Sequence, residues 1–341
     1  MSNKMNILVG DIGGTYSRLL LIAVEEDSHL ILAEKKYHNH NFTSLTNVIK
    51  YFLFEYQFEA EFYSACLAVA GPVINGKAAI TNLPWTIAER ELTDVLDTPR
   101  VKLINDFISV AYGIATLKAE DIVVLQKGKL KENEESKTTI SVIGAGTGLG
   151  AAHLIYLDNH YQALSSEAGH AGFAPETKQQ TALLRWMQQE YSHVSLEMIL
   201  SGRGLATIYR FLHETEKLNE SGEVKKAMLS RDPAQVISEY GLKRQDSLCQ
   251  KTLDCFIDIY GAAAGNIALH YFPLTDVYIA GGIAAKIKEK MLEPRFTEAF
   301  NNKGLMSENM KNISIKLVLN DKVGVYGALE YIRSFYGASE K

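Results

Sequence analysis

The chain is short of cysteine, of long apolar runs and of positive charge. Its 341 residues include three cysteines, Cys66, Cys249 and Cys255. The number is odd and no C-x-x-C spacing occurs, which speaks against a disulfide framework or a zinc site and fits reduced thiols in the cytoplasm. No apolar stretch reaches the roughly 18 residues of a membrane helix. The opening MSNKMNILVGD has no long hydrophobic run before Asp11, so no signal peptide is expected. Lysine and arginine number 35 against 40 aspartate and glutamate, a net charge of −5. That balance argues against nucleic acid or an anionic membrane as main partner, yet allows a local basic pocket for a phosphorylated ligand.

What is there is ordinary globular composition, 47% hydrophobic and 22% charged, in a chain long enough for two cored domains. Two glycine-rich strings stand out: VGDIGGT at Val9–Thr15 and IGAGTGLG at Ile143–Gly150. Each follows an apolar run and includes a hydroxyl residue. A strand entering such a turn leaves backbone N–H groups for phosphate oxygens, where a Cβ would block close approach. The strings lie about 130 residues apart, which suggests two related halves around one nucleotide. The other reading of each is a plain β-hairpin turn. The spacing is not that of a P-loop. Nor does the first string fit G-x-G-x-x-G. From Gly144 and Gly146 the third place is Leu149; from Gly146 and Gly148 it is Ala151, which the relaxed dinucleotide pattern permits. That version needs a helix next, and Ala151–Leu157 reads as a strand.

Strands are expected at Ile7–Val9, Ser17–Val24, Leu30–Tyr37, Cys66–Ala70, Val101–Ile104, Ile122–Leu125, Thr138–Ile143 and Asp276–Ala280, mostly as buried apolar runs. Helical spacing marks Thr43–Phe54, with Thr43 or Ser44 as cap, and the long apolar Thr252–Phe272 with small residues at Gly261–Gly265. Val323–Phe335 reads as a final helix with Gly324 and Gly327 on its packing face. Lys127–Lys137 reads as an exposed loop, and His213–Pro233 as surface helix and loop. The pattern of strands, glycine turn and helix occurs twice, as an internal duplication would give.

Two further groups bear on chemistry. Asn105-Asp106 ends an expected strand, where open α/β folds place their chemistry. A carboxylate there could take the proton of an acceptor alcohol in phosphoryl transfer; equally, Asn-Asp is a common turn. Glu167, His170 and Glu197 could bind the vicinal hydroxyls of a sugar, each both donor and acceptor. The residues alone fit surface charges and a structural histidine as well. A metal reading of Glu167 and His170 lacks a second ligand pair.

Read together, the motifs resemble the bacterial-type glucokinases, within the superfamily of actin, heat-shock chaperone ATPases and hexokinase. The resemblance is carried in order by VGDIGGT, AVAGPV (Ala68–Val73), TNLPW (Thr81–Trp85), INDF (Ile104–Phe107), GAGTGLG (Gly144–Gly150), SEAGHAGFAP (Ser166–Pro175), SLEMILSGRGL (Ser195–Leu205) and IAGGI (Ile279–Ile283). It implies an α/β fold of two actin-like, ribonuclease H-like domains with a cleft between them. Their expected extents are 1–117 plus 323–341 for the smaller and 118–322 for the larger. It implies ATP-dependent phosphorylation of glucose at the 6-hydroxyl, with Asp106 as general base and Asn105, Glu167, His170 and Glu197 as sugar ligands. ATP would lie on Gly13, Gly14, Thr15, Gly146, Thr147 and Gly148, with Gly281 and Gly282 beside its adenosine. Asp11 would face the nucleotide's Mg²⁺ through water. The cysteine cluster C-x-C-G-x-x-G-C of the related repressor–kinase group is absent, as is a helix-turn-helix ahead of the first glycine string. Relatives usually carry Asn after GGT and read E-G-G-H-x-D-F-A-P; here Tyr16, Ala168 and Gly172 depart. Those departures leave another hexose, mannose or an N-acetylhexosamine, as an alternative substrate. A silent sugar sensor is a further alternative, and intact Asp11 and Asp106 speak against it. ADP or polyphosphate could replace ATP, and relatives are often homodimers.

Overall fold

The computed structural model describes residues 5–25, 28–80, 83–129, 139–157, 160–272 and 274–337. Thr81 and Asn82 of the TNLPW string, and most of the expected 127–137 loop, lie outside them. The chain divides into two compact units: Met1–Lys118 with Lys322–Lys341, and Ala119–Asp321.

The first unit is built on a five-stranded sheet. β1 (Met5–Ile12), β2 (Tyr16–Glu25) and β3 (Ser28–His38) form an antiparallel meander. β4 (Ser64–Val69) and β8 (Val101–Asn105) add parallel to β1, in the order β3-β2-β1-β4-β8. Between β4 and β8 lies a small antiparallel sheet of β5 (Val73–Ile74), β6 (Lys77–Ala79) and β7 (Thr86–Ala88). Both faces of the large sheet are covered, which is why its inner strands read as continuous apolar runs. Leu8, Ile12, Leu19 and Leu21 pack against Val48, Ile49 and Phe52 of α1 (Leu45–Glu55) and Leu92 and Leu96 of α2 (Glu89–Leu96). The alternate residues Ile7, Val9, Leu20 and Ile22 meet Val325, Ala328, Leu329 and Ile332 of α13 (Val323–Gly337). Ser44 caps α1 by accepting from the Asn47 amide. α3 (Asp106–Gly113) lies against α13, with the Ser109 hydroxyl donating to the Gly324 carbonyl at 2.5 Å.

The second unit repeats the plan. β10 (Thr139–Ala145), β11 (Leu149–Leu157) and β12 (His160–Ser166) form an antiparallel meander. β13 (Leu274–Ala280) and β14 (Ser314–Val318) add parallel to β10, and β9 (Ile122–Gln126) closes the edge antiparallel. The order β12-β11-β10-β13-β14 has the same connectivity and directions as the first sheet. The helices are α4 (Lys178–Met187), α5 (Gly202–Thr215), α6 (Gly222–Met228), α7 (Pro233–Leu242) and α8 (Ser247–His270), then the short α9 (Gly282–Lys286), α10 (Lys288–Met291), α11 (Pro294–Asn301) and α12 (Ser307–Met310). α8 starts five residues before the expected Thr252, because Asp246 caps it by accepting from the Cys249 amide at 2.8 Å. Gln250 and Lys251 masked that first turn in the apolar pattern. Gly261 and Gly265 let α11 approach closely: an added Cβ at Gly265 would lie 2.5 Å from the Phe300 carbonyl oxygen.

All three cysteines are buried and unpaired, and burial raises each thiol's pKa, that of Cys255 to about 12. Such thiols are unreactive. Among the described residues no helix is long and apolar enough to cross a membrane.

Candidate active site

In the first unit, Asp11, Gly71 and Asn105-Asp106 stand at or just beyond the carboxyl ends of the parallel strands β1, β4 and β8. Asn105 is the N-cap of α3. Its Oδ1 accepts from the amides of Phe107 at 2.9 Å and Ile108 at 3.2 Å, and its Nδ2 donates to the Gly71 carbonyl. The plain turn reading of this pair is therefore true of Asn105, and one N–H of its amide remains for a ligand. Asp106 is the first helical residue, half-buried, with Oδ1 accepting from the Phe107 amide. The positive end of the helix dipole favours charge there. Asp11 pairs with Arg18 across β2 and with Ala68 on β4. Its carboxylate faces the first turn of α13, close to Gly324.

The first glycine turn joins β1 to β2 as a hairpin, with Gly13 N–H donating to the Tyr16 carbonyl at 2.9 Å. The amides of Gly14 and Thr15 enter no hydrogen bond among the described residues. Asn39, which sequence reasoning missed, fixes the turn from behind. It is fully buried; its backbone N–H donates to Thr15, its Nδ2 donates to the Gly13 carbonyl at 2.8 Å, and its Oδ1 accepts from the Ser17 hydroxyl at 2.7 Å. Tyr16 points outward, edge-on to His38 and under the Lys36 ammonium.

In the second unit, the turn Gly146–Gly148 is also a hairpin, closed by Gly146 N–H to the Gly148 carbonyl at 2.8 Å. The amides of Thr147 and Gly148 are likewise unused among the described residues. The start of α5 supports this turn, with Gly202 N–H donating to the Gly146 carbonyl. Tyr260 of α8 supports the strands before it: its hydroxyl accepts from the Ala145 amide at 3.1 Å and donates to the Ala280 carbonyl at 3.4 Å. Gly281 follows with φ of +87°, packed against Ala145, so its glycine is conformationally required. Nothing lies near the position a Cβ would take at Gly282.

The structure brings Glu167, His170 and Glu197 into one group. Glu167 precedes a single 3-10 turn (Ala168–His170) that His170 ends, both exposed, with Oε2 and Nε2 3.9 Å apart. Residues 169–173 are stitched to 194–197 by Glu197 N–H to Gly169, Leu196 N–H to Ala171 and Phe173 N–H to Val194, all at 2.9 Å. Glu197 is in a turn, not on a helix face, and its Oε2 accepts from the Leu149 amide at 3.0 Å. Ala168 adopts ordinary 3-10 backbone with no positive φ, so the missing glycine imposes no strain. The groove along α4 and α5, floored by Trp186, contains none of these residues.

Two sheets of one duplicated topology, each with a glycine hairpin at the carboxyl end of the first strand of its meander, define the actin-like ATPase class of α/β fold. Solved structures agree. One is a glucokinase from an Antarctic psychrotroph, 33% identical with a TM-score of 0.80, covering 96% of this chain and 99% of that one. Another is a ROK family glucokinase from Streptomyces griseus in complex with glucose and AMPPNP, 18% identical, TM-score 0.66, covering 96% and 99%. Within that class the chain belongs to the glucokinase family, whose model matches residues 8–334. A glucokinase of Trichormus variabilis is 38% identical over 94% of this chain and 97% of its own length.

Proposed function

We propose that this protein transfers the γ-phosphoryl group of ATP to the 6-hydroxyl of glucose. The observation that supports this best is the grouping of Glu167, His170 and Glu197 in one stitched segment beside a glycine turn with unused amides. A hexose ring carries paired donors and acceptors that two carboxylates and an imidazole can match. The remaining N–H of Asn105 is a further sugar ligand. Asp106, fixed at the start of α3, takes the proton of the attacking 6-hydroxyl as the O–P bond forms. Amides at Gly14, Thr15, Thr147 and Gly148 bind phosphate oxygens and stabilise their developing charge. Gly282, with no atom near where its Cβ would stand, leaves room for the adenosine, and Gly281 makes the bend that precedes it.

Among the described residues no cluster of three or more His, Cys, Asp or Glu side chains could hold a metal ion. A single carboxylate at Asp11 suits a water-mediated contact to Mg²⁺ arriving on the nucleotide, and does not suit a resident ion. Such an ion would neutralise phosphate charge.

The test is a coupled assay in which donor and hexose are varied together. Glucose with ATP is expected to be the preferred pair; preference for mannose, an N-acetylhexosamine or polyphosphate would displace it. Asp106→Asn should retain glucose binding and lose turnover by ~10²–10⁴-fold. Glu167→Gln should chiefly raise KM for glucose. Near-normal turnover in the first variant removes Asp106 from its role.

A further inference from the structure

Glycines in a phosphate-type turn are commonly explained by the phosphate. Gly146 fits that explanation, since no atom lies within 4 Å of where its Cβ would stand. Gly148 does not. The space its side chain would fill is taken by the Glu197 carboxylate, with the carboxyl carbon 3.0 Å away and Oε2 closer still. Nor does its backbone demand glycine, since its φ is outside the left-handed region. The same Oε2 accepts from Leu149, the residue after the turn, while Glu197 N–H is tied to Gly169 between Glu167 and His170.

We propose that Gly148 is a positioning residue for the sugar. It is glycine so that the Glu197 carboxylate can lodge against the turn and present its other oxygen to a sugar hydroxyl. Glu197 thereby joins the second glycine turn to the Glu167–His170 segment. This rests on the sugar role of Glu197 proposed above.

The experiment is calorimetric titration of the whole chain with glucose in the absence of nucleotide. Gly148→Ala should weaken binding roughly tenfold or more, the scale of a lost hydrogen bond to a charged group. Gly222→Ala, at a glycine outside the proposed site whose Cβ would meet nothing, should stay within about twofold of the unaltered chain. In a Glu197→Ala background, adding Gly148→Ala should cost nothing more, because the overlapping oxygen is gone. Additive losses, or a Gly148→Ala chain that binds glucose normally and loses only ATP affinity, would overturn the proposal. Should the unaltered chain bind no glucose, the functional reading fails on its own. The Gly148–Glu197 contact is still read by hydrogen exchange at the Leu149 amide, which should quicken in Gly148→Ala. Unchanged exchange there overturns the contact's role. If Gly148→Ala does not fold, Glu197→Gln serves: its amide oxygen can still accept from Leu149, so glucose affinity should drop while the melting temperature holds.

Discussion

In two glycine pairs of the second unit, one member faces open space and the other is packed by the fold. Gly146 and Gly282 face open space, while Gly148 and Gly281 are filled by the protein's own atoms. A sequence shows the pair and not the division, because the deciding neighbours come from Glu197 and Ala145, distant or in another strand. Asn39 teaches the same lesson. It occurs in an unremarkable string, HNHN, yet its amide secures the first turn through Gly13 and Ser17. Asn39→Ala leaves the Gly13 carbonyl and Ser17 hydroxyl without their partner, a loss of about 1–3 kcal/mol. KM for ATP should rise several-fold with KM for glucose little changed. Equal rises in both would show general loosening and refute a turn-specific role.

At the scale of elements, the α3–α13 contact separates two glycines that the sequence treats alike. An added Cβ at Gly327 would overlap the Ser109 carbonyl, whereas at Gly324 it would meet Asp11 and Val110 at ordinary contact, 3.7 Å. Gly327→Ala should therefore destabilise by ~1–3 kcal/mol, the range for overpacking. Gly324→Ala should be tolerated to within about 1 kcal/mol. Urea denaturation of the two variants checks this, and equal effects would contradict the packing account. Tyr260 is the comparable support in the second unit. Tyr260→Phe strands the Ala145 amide and the Ala280 carbonyl, two buried groups, and should cost ~1–3 kcal/mol. A melting temperature identical to that of the unaltered chain would count against it.

For the molecule as a whole, stability has a titratable component away from the proposed site. His153 is buried, its Nδ1 2.9 Å from the Ser141 hydroxyl and its ring stacked on Tyr271. Burial first, and His270 second, depress its pKa to about 4 from an ordinary 6.5. The folded protein keeps the ring neutral while the unfolded chain protonates as pH falls below 6.5. Stability is therefore lost between pH 6.5 and 4, by about 3 kcal/mol at the lower end. His153→Gln, which can keep a bond to Ser141 but does not titrate, should flatten that slope in urea unfolding at stepped pH. An unaltered slope would rule His153 out as its source.

The sequence by itself determined the α/β class, the places of most strands and the order of the family's motifs. These follow from local physics: apolar runs covered on both faces, glycine where the chain must turn sharply, and caps at helix starts. It did not show β12, whose side chains are mostly half-exposed and follow no alternation, nor the true start of α8, capped by an aspartate ahead of polar residues. Tertiary structure alone decided what stands behind each turn, because hydrogen bonds from Asn39, Glu197 and Tyr260 close over 22 to 115 residues of chain. No periodicity encodes a contact at that separation; only the folded backbone brings its two ends together.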